Sequence, residues 1–115
     1  MISKHGAEHY GWGKGCDGWH LVKADNLSVI HERMPPGTAE ERHQHRASRQ
    51  FFFVLSGELV LETAGRREAL RAHEGSEVAP GEPHQVSNRS DAAAEFLVVS
   101  QPPSHGDRTP TIIRN

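Results

Sequence analysis

The sequence predicts an all-β domain, built as a sandwich or a closed barrel. Three observations carry this. From Trp19 onward, short runs of branched and aromatic residues recur at regular spacing. Turn residues punctuate them: Pro35-Pro36-Gly37, Ser56-Gly57, Ala64-Gly65, Pro80-Gly81 and Asn88-Arg89-Ser90-Asp91. No window of about 11 residues or more carries a helical apolar stripe.

Taken in order, residues 1–18 are rich in Gly, His and charge and read as an irregular N-terminal arm. Strands are expected near 19–22, 27–34, 39–45, 50–56, 58–63, 66–71, 76–79, 83–88 and 94–99. Within 94–99 and the residue after it, Phe96, Val98 and Ser100 share one face, and Leu97 and Val99 the other. The run Phe51-Phe52-Phe53-Val54-Leu55 is apolar on both faces, whereas a strand with one face in water alternates. One of its faces is expected to line the barrel, the other to meet a second sheet or a second subunit. Residues 101–115 read as an extended C-terminal tail.

The chain has 115 residues, enough for one domain, expected to be 1–115 with a barrel core over about 19–100. A formal net charge of −2 gives no argument for nucleic acid or an anionic membrane as partner. No apolar run approaches the ~20 residues of a membrane helix, and the first residues lack the apolar stretch of a signal peptide. One cysteine, Cys16, rules out an internal disulfide. A cytoplasmic location is the expectation.

Nine histidines make their placement worth reading. His43 and His45 lie two apart. On a strand, such a pair points to one face about 6.6 Å apart, close enough to converge on one ion with metal–nitrogen bonds of about 2.0–2.1 Å. A turn through Arg46-Ala47-Ser48-Arg49 would return Gln50 beside them on the next strand. His84 follows a Pro-Gly turn and opens a late strand. Local spacing does not show whether it meets the first pair.

These residues fall into two motifs that resemble those of the cupin superfamily. The first has the form G-x5-H-x-H-x3,4-E-x6-G. Gly37, His43, His45 and Gly57 fit it, with Gln50 in the acidic position. The second runs P-x-G-x2-H-x3-N after an earlier glycine. Gly81, His84 and Asn88 fit it, Gly75 lies ahead, and Ala79 stands where the proline is usual. The resemblance spans roughly residues 27–99. It implies a double-stranded β-helix, the jelly-roll cupin barrel. It also implies one divalent transition metal ion held by His43, His45, Gln50 and His84. Zinc, nickel, iron, manganese and copper all suit such ligands. The resemblance further implies a small-molecule ligand or substrate in the barrel, and a homodimer.

Gln50 makes the ligand set neutral, so the ion keeps its full charge. Such a site should favour an anionic ligand, acidify bound water and disfavour the ferric state. Lewis-acid chemistry follows as the expected function: isomerase-, lyase- or cyclase-like, on a small anionic or sugar-like molecule. A metal-dependent dioxygenase and a non-catalytic binding or sensing cupin are the alternatives. Glu32, His31 and Arg33 are the acid/base or anion-holding candidates, because they alternate along one strand. If Met34 points inward, Glu32 lines the pocket. In the other register His31 and Arg33 do.

Overall fold

The computed structural model describes residues 1–104 and 106–111. Residue 105 and residues 112–115 of the expected tail lie outside the described residues. Eleven strands form among them: β1 (Glu8–Trp12), β2 (Cys16–Lys23), β3 (Ser28–Met34), β4 (His43–His45), β5 (Arg49–Ser56), β6 (Glu58–Thr63), β7 (Arg66–Arg71), β8 (Gly75–Val78), β9 (His84–Ser87), β10 (Ala94–Gln101) and β11 (Arg108–Pro110). They make a six-stranded sheet in the order β1-β2-β3-β10-β5-β8 and a five-stranded sheet in the order β11-β4-β9-β6-β7. All the pairings are antiparallel. Strands distant in sequence lie side by side, β10 between β3 and β5, and β9 between β4 and β6. Among the described residues no helix is long and apolar enough to cross a membrane.

Alternation decides which residues meet between the sheets. On β10, Ala94, Phe96, Val98 and Ser100 are buried, while Glu95, Leu97 and Val99 face outward and are partly exposed. On β5, Gln50, Phe52 and Val54 turn in. Met34, Leu59, Leu61, Val78 and Val86 complete the interior. The outward face of β5 is left partly in solvent: Phe51 is 40% exposed, and its ring stacks on that of Phe53. Gly57 turns the chain from the large sheet into the small one at φ 77°. A Cβ there would collide with the Ala93 carbonyl oxygen, so glycine is required twice over.

Two expectations are corrected. The expected irregular N-terminal arm is confined to residues 1–7. β1 and β2 form a hairpin that pairs onto β3, and Cys16 is a buried core residue at the start of β2 rather than part of a glycine-rich loop. Its sequence hid this because the strand is glycine-interrupted and half exposed, so apolar alternation is absent. The segment 39–45 is strand only at His43–His45, with an isolated bridge from Ala39 to Ser87. In the described part of the expected C-terminal tail, three residues form β11 along β4.

Candidate metal centre

β4 buries His43 and His45 and leaves Gln44 between them partly exposed, the i, i+2 pattern of one strand face. β9 runs antiparallel beside it, with His84 directly opposite His43. This cross-strand register brings the third histidine in. Ring centroids lie 4.4 Å apart for His43–His84, 4.8 Å for His43–His45 and 5.5 Å for His45–His84. One nitrogen from each ring falls within 4.8 Å of the other two.

Hydrogen bonds fix the ring orientations. His43 Nδ1 donates to the Glu41 carbonyl at 2.7 Å, and His84 Nδ1 donates to the Glu82 carbonyl at 2.9 Å. The Nε2 atom of each of these rings is thereby left as an acceptor, the second-shell arrangement usual for ligating histidines. His84 Nε2, both nitrogens of His45 and Gln50 Oε1 are buried and make no hydrogen bond to protein. Gln50 Nε2 donates to Ser100 Oγ at 3.1 Å, across the β5–β10 pairing, which orients the amide. Orphaned buried acceptors are expensive in a core. The donor set fits a divalent transition ion, which would satisfy several of them at once. Burial holds the imidazoles neutral: it pushes His43 down to about 3 and His45 down to about 4, with His84 lowered too. Neutral imidazole is the ligating form.

A cavity of about 280 Å³ opens beside these groups. His43, His45 and Gln50 line it, with Ile30, Phe52 and Val98 as apolar wall. Its remaining polar and aromatic lining is Tyr10, Trp12, Glu32, Glu40, Ser104 and Arg108, along with Gly106. The β3 register is therefore decided. Met34 and Ile30 point inward and Glu32 with them. His31 and Arg33 are on the outer face and do not reach the cavity. His31 Nε2 meets Glu95 Oε1 at 2.8 Å with its ring edge-on to Trp19, and Arg33 pairs with Asp17 at 3.7 Å.

Burial pushes the Glu32 carboxyl up to about 7, against the opposing pull of the Tyr10 hydroxyl and the Arg108 guanidinium. Burial and the neighbouring Glu32 push Glu40 up to about 8. Glu40 is tied down: the Val86 amide donates to its carboxylate at 3.0 Å, and Gln85 Nε2 donates to its carbonyl at 2.8 Å. It braces the segment leading into β4. Glu40, Tyr10, Trp12 and Arg108 carry no local signal in sequence. Only the pairing of β1 and β11 onto the barrel brings Tyr10, Trp12 and Arg108 to the cavity.

A family model for the cupin domain, Cupin_2, matches residues 30–100. An oxalate-binding protein of Thermotoga maritima is 28% identical over 67 residues, which is 58% of this chain and 55% of that protein. The chain spans about half the length of the curated relatives it matches. Two solved structures share the fold. A sugar phosphate isomerase of the cupin superfamily from Silicibacter pomeroyi superposes with TM-score 0.78 at 24% identity, covering 88% of this chain and 74% of that one. The polyketide cyclase RemF from Streptomyces resistomycificus gives 0.81 at 20% identity, covering 100% and 87%.

Proposed function

This chain belongs to the cupin family, and from that premise we propose that it is a metal-dependent enzyme acting by Lewis-acid chemistry on a small anionic or sugar-like organic molecule. His43, His45, His84 and Gln50 would hold one divalent transition ion. When bound, the ion supplies positive charge to a substrate oxygen.

The single observation that carries the enzymatic reading is Glu32. It is a carboxyl group in the cavity lined by the histidines, poised near neutral pH by burial. As carboxylate, Glu32 takes a proton from a carbon next to a carbonyl. The C–H electron pair becomes the enolate. Return of the proton to a different carbon gives isomerisation, and loss of a leaving group from the enolate gives elimination. Neither outcome needs an oxidant. Arg108 offers a positive charge to the anionic end of the substrate, and Ile30, Phe52 and Val98 shelter the carbon skeleton.

The isomerase and the cyclase among the structural neighbours accord with this class of chemistry, and the fold allows others. Oxygen chemistry that cycles through ferric iron is disfavoured by the neutral ligand set, which leaves the ion electron-poor, while other dioxygenase chemistry stays open to it. A pure binder of small dicarboxylates is the second reading, supported by the likeness to an oxalate-binding protein. Glu32 favours the enzymatic reading over it, because a carboxyl able to exchange a proton near neutral pH lines the same cavity.

The test is elemental analysis of the purified protein beside a His45→Ala variant. One equivalent of a transition metal per wild-type chain is expected, and its loss in the variant. A wild-type protein that neither carries nor takes up a stoichiometric ion overturns the proposal.

A further inference from the structure

The acid–base group sits at the end of a row that crosses three strands. Tyr10 on β1 is paired with Gly18 on β2, and Gly18 is paired with Glu32 on β3. Neighbouring strands lie about 4.8 Å apart, so Tyr10 and Glu32 start some 9–10 Å from each other. A side chain at position 18 would separate them. Gly18 has none: a Cβ built there would collide with Cζ, Cε1 and Oη of Tyr10. The phenol ring lies across the bare backbone, and its hydroxyl donates to Glu32 Oε1 at 3.3 Å. The ring of His20, the next inward residue of β2, meets Tyr10 with centroids 5.1 Å apart.

We propose that Tyr10, laid over Gly18, is the positioning residue for Glu32: it aims the carboxyl into the cavity and sets the pH at which it exchanges its proton. The inference rests on the reading of Glu32 as the proton-moving group. It goes beyond that reading because β1 and β2 both lie outside the family-matched residues 30–100. The barrel supplies the histidines, and the N-terminal hairpin tunes the base.

The groups that face Glu32 are few. Among the described residues they are Tyr10 from β1, Cys16 from β2, Glu40 from the segment before β4 and Arg108 from β11, with His43 and His45 lining the same cavity from β4 and apolar Phe96 paired to it on β10. Burial raises Glu32. A donated phenol hydrogen bond stabilises the charged form and brings it back down. The reciprocal effect raises Tyr10: burial first, then the charge of Glu32.

Two titrations on protein kept metal-free with chelator test this. Tyr10 is the one tyrosine of the chain, so tyrosinate absorbance reports it alone. Its midpoint should lie above the usual ~10 and fall in Glu32→Gln. Carbon-13 NMR of labelled glutamate, with Glu32 assigned by its loss in Glu32→Gln, should give a midpoint near 7. Tyr10→Phe, which keeps the ring, should raise that midpoint by roughly 0.5–1 pH unit. Gly18→Ala should do the same while the phenol is still present. A Glu32 midpoint unmoved by Tyr10→Phe overturns the inference, as does a tyrosine indifferent to Glu32→Gln. Neither readout depends on metal content, so a failed metal analysis and a failed titration are separate results.

Discussion

Replacing Gln50 by glutamate separates ligation from mere placement. Gln50 is 5% exposed and its Oε1 is unpartnered. Without an ion, Gln50→Glu buries a carboxyl beside imidazoles that are neutral and offer no countercharge. Glu32 in the same cavity gauges the penalty. Its shift from 4.5 to about 7 is 2.5 units, or about 3 kcal/mol at 1.36 kcal/mol per unit. A carboxyl whose folded-state value is raised incurs no penalty below its unfolded value near 4.5 and the whole of it above about 7. The metal-free variant should therefore match wild type at pH 4.5 and be about 3 kcal/mol less stable at pH 8. With a divalent ion present, the same carboxylate becomes a charged ligand, and the deficit at pH 8 should close or reverse. The assay is urea unfolding at both pH values, with chelator and with saturating zinc. An equal loss at pH 8 with and without zinc refutes ligation at position 50.

Three further outcomes are expected. Asn88 is buried at the end of the second motif. Its Nδ2 donates to the carbonyls of Met34 and Ala92 at 2.9 and 2.7 Å, and its Oδ1 accepts from the Ser90 amide and hydroxyl. Asn88→Ala should cost about 2–4 kcal/mol, read by urea unfolding, and a loss below about 1 kcal/mol contradicts the count. Glu32→Gln removes a buried charge. It should stabilise the metal-free protein at pH 8 by up to about 3 kcal/mol and do nothing at pH 4.5, and a gain at the lower pH reverses the sign argued here. Wild type should run as a dimer by light scattering, paired through the outer face of β5, and Phe51→Lys should shift it to monomer. A monomeric wild type removes that expectation.

The strands β5 and β10 could be read from their branched and aromatic runs, and their two faces from the period of two. Which face of β5 meets solvent could not, because Phe51, Phe53 and Leu55 are apolar like Phe52 and Val54. By the same period, Phe52 and Val54 share the inward face with Gln50, and Gln85 points to the face away from His84. The histidine pair was legible for a similar reason. Its meeting with His84 was legible only through resemblance, since a register between β4 and β9 leaves no trace in local spacing. Glu32 stood at an undecided register, because His31, Arg33 and Glu32 are all polar and nothing in the strand broke the tie. Tyr10 and Arg108 were out of reach altogether. They gain meaning from strands whose own sequences, one full of glycine and one three residues long, carry no β signature.

Among the described residues, the order of the two sheets leaves β1, β8, β11 and β7 at the edges. Each is guarded. β7 sets exposed Arg66, Arg67 and Arg71 along its length, and β8 and β11 are only four and three residues long, the latter ending at Pro110, which has no amide hydrogen to give. β1 carries Glu8 and His9, engaged with Lys23 and Asp17. A foreign strand adding to any of these rims would meet charge, brevity or a missing donor. Growth by sheet extension is thereby disfavoured, and a second copy of the chain, were one to pair, would be left the apolar surface around Phe51, where contact would close on itself instead of propagating.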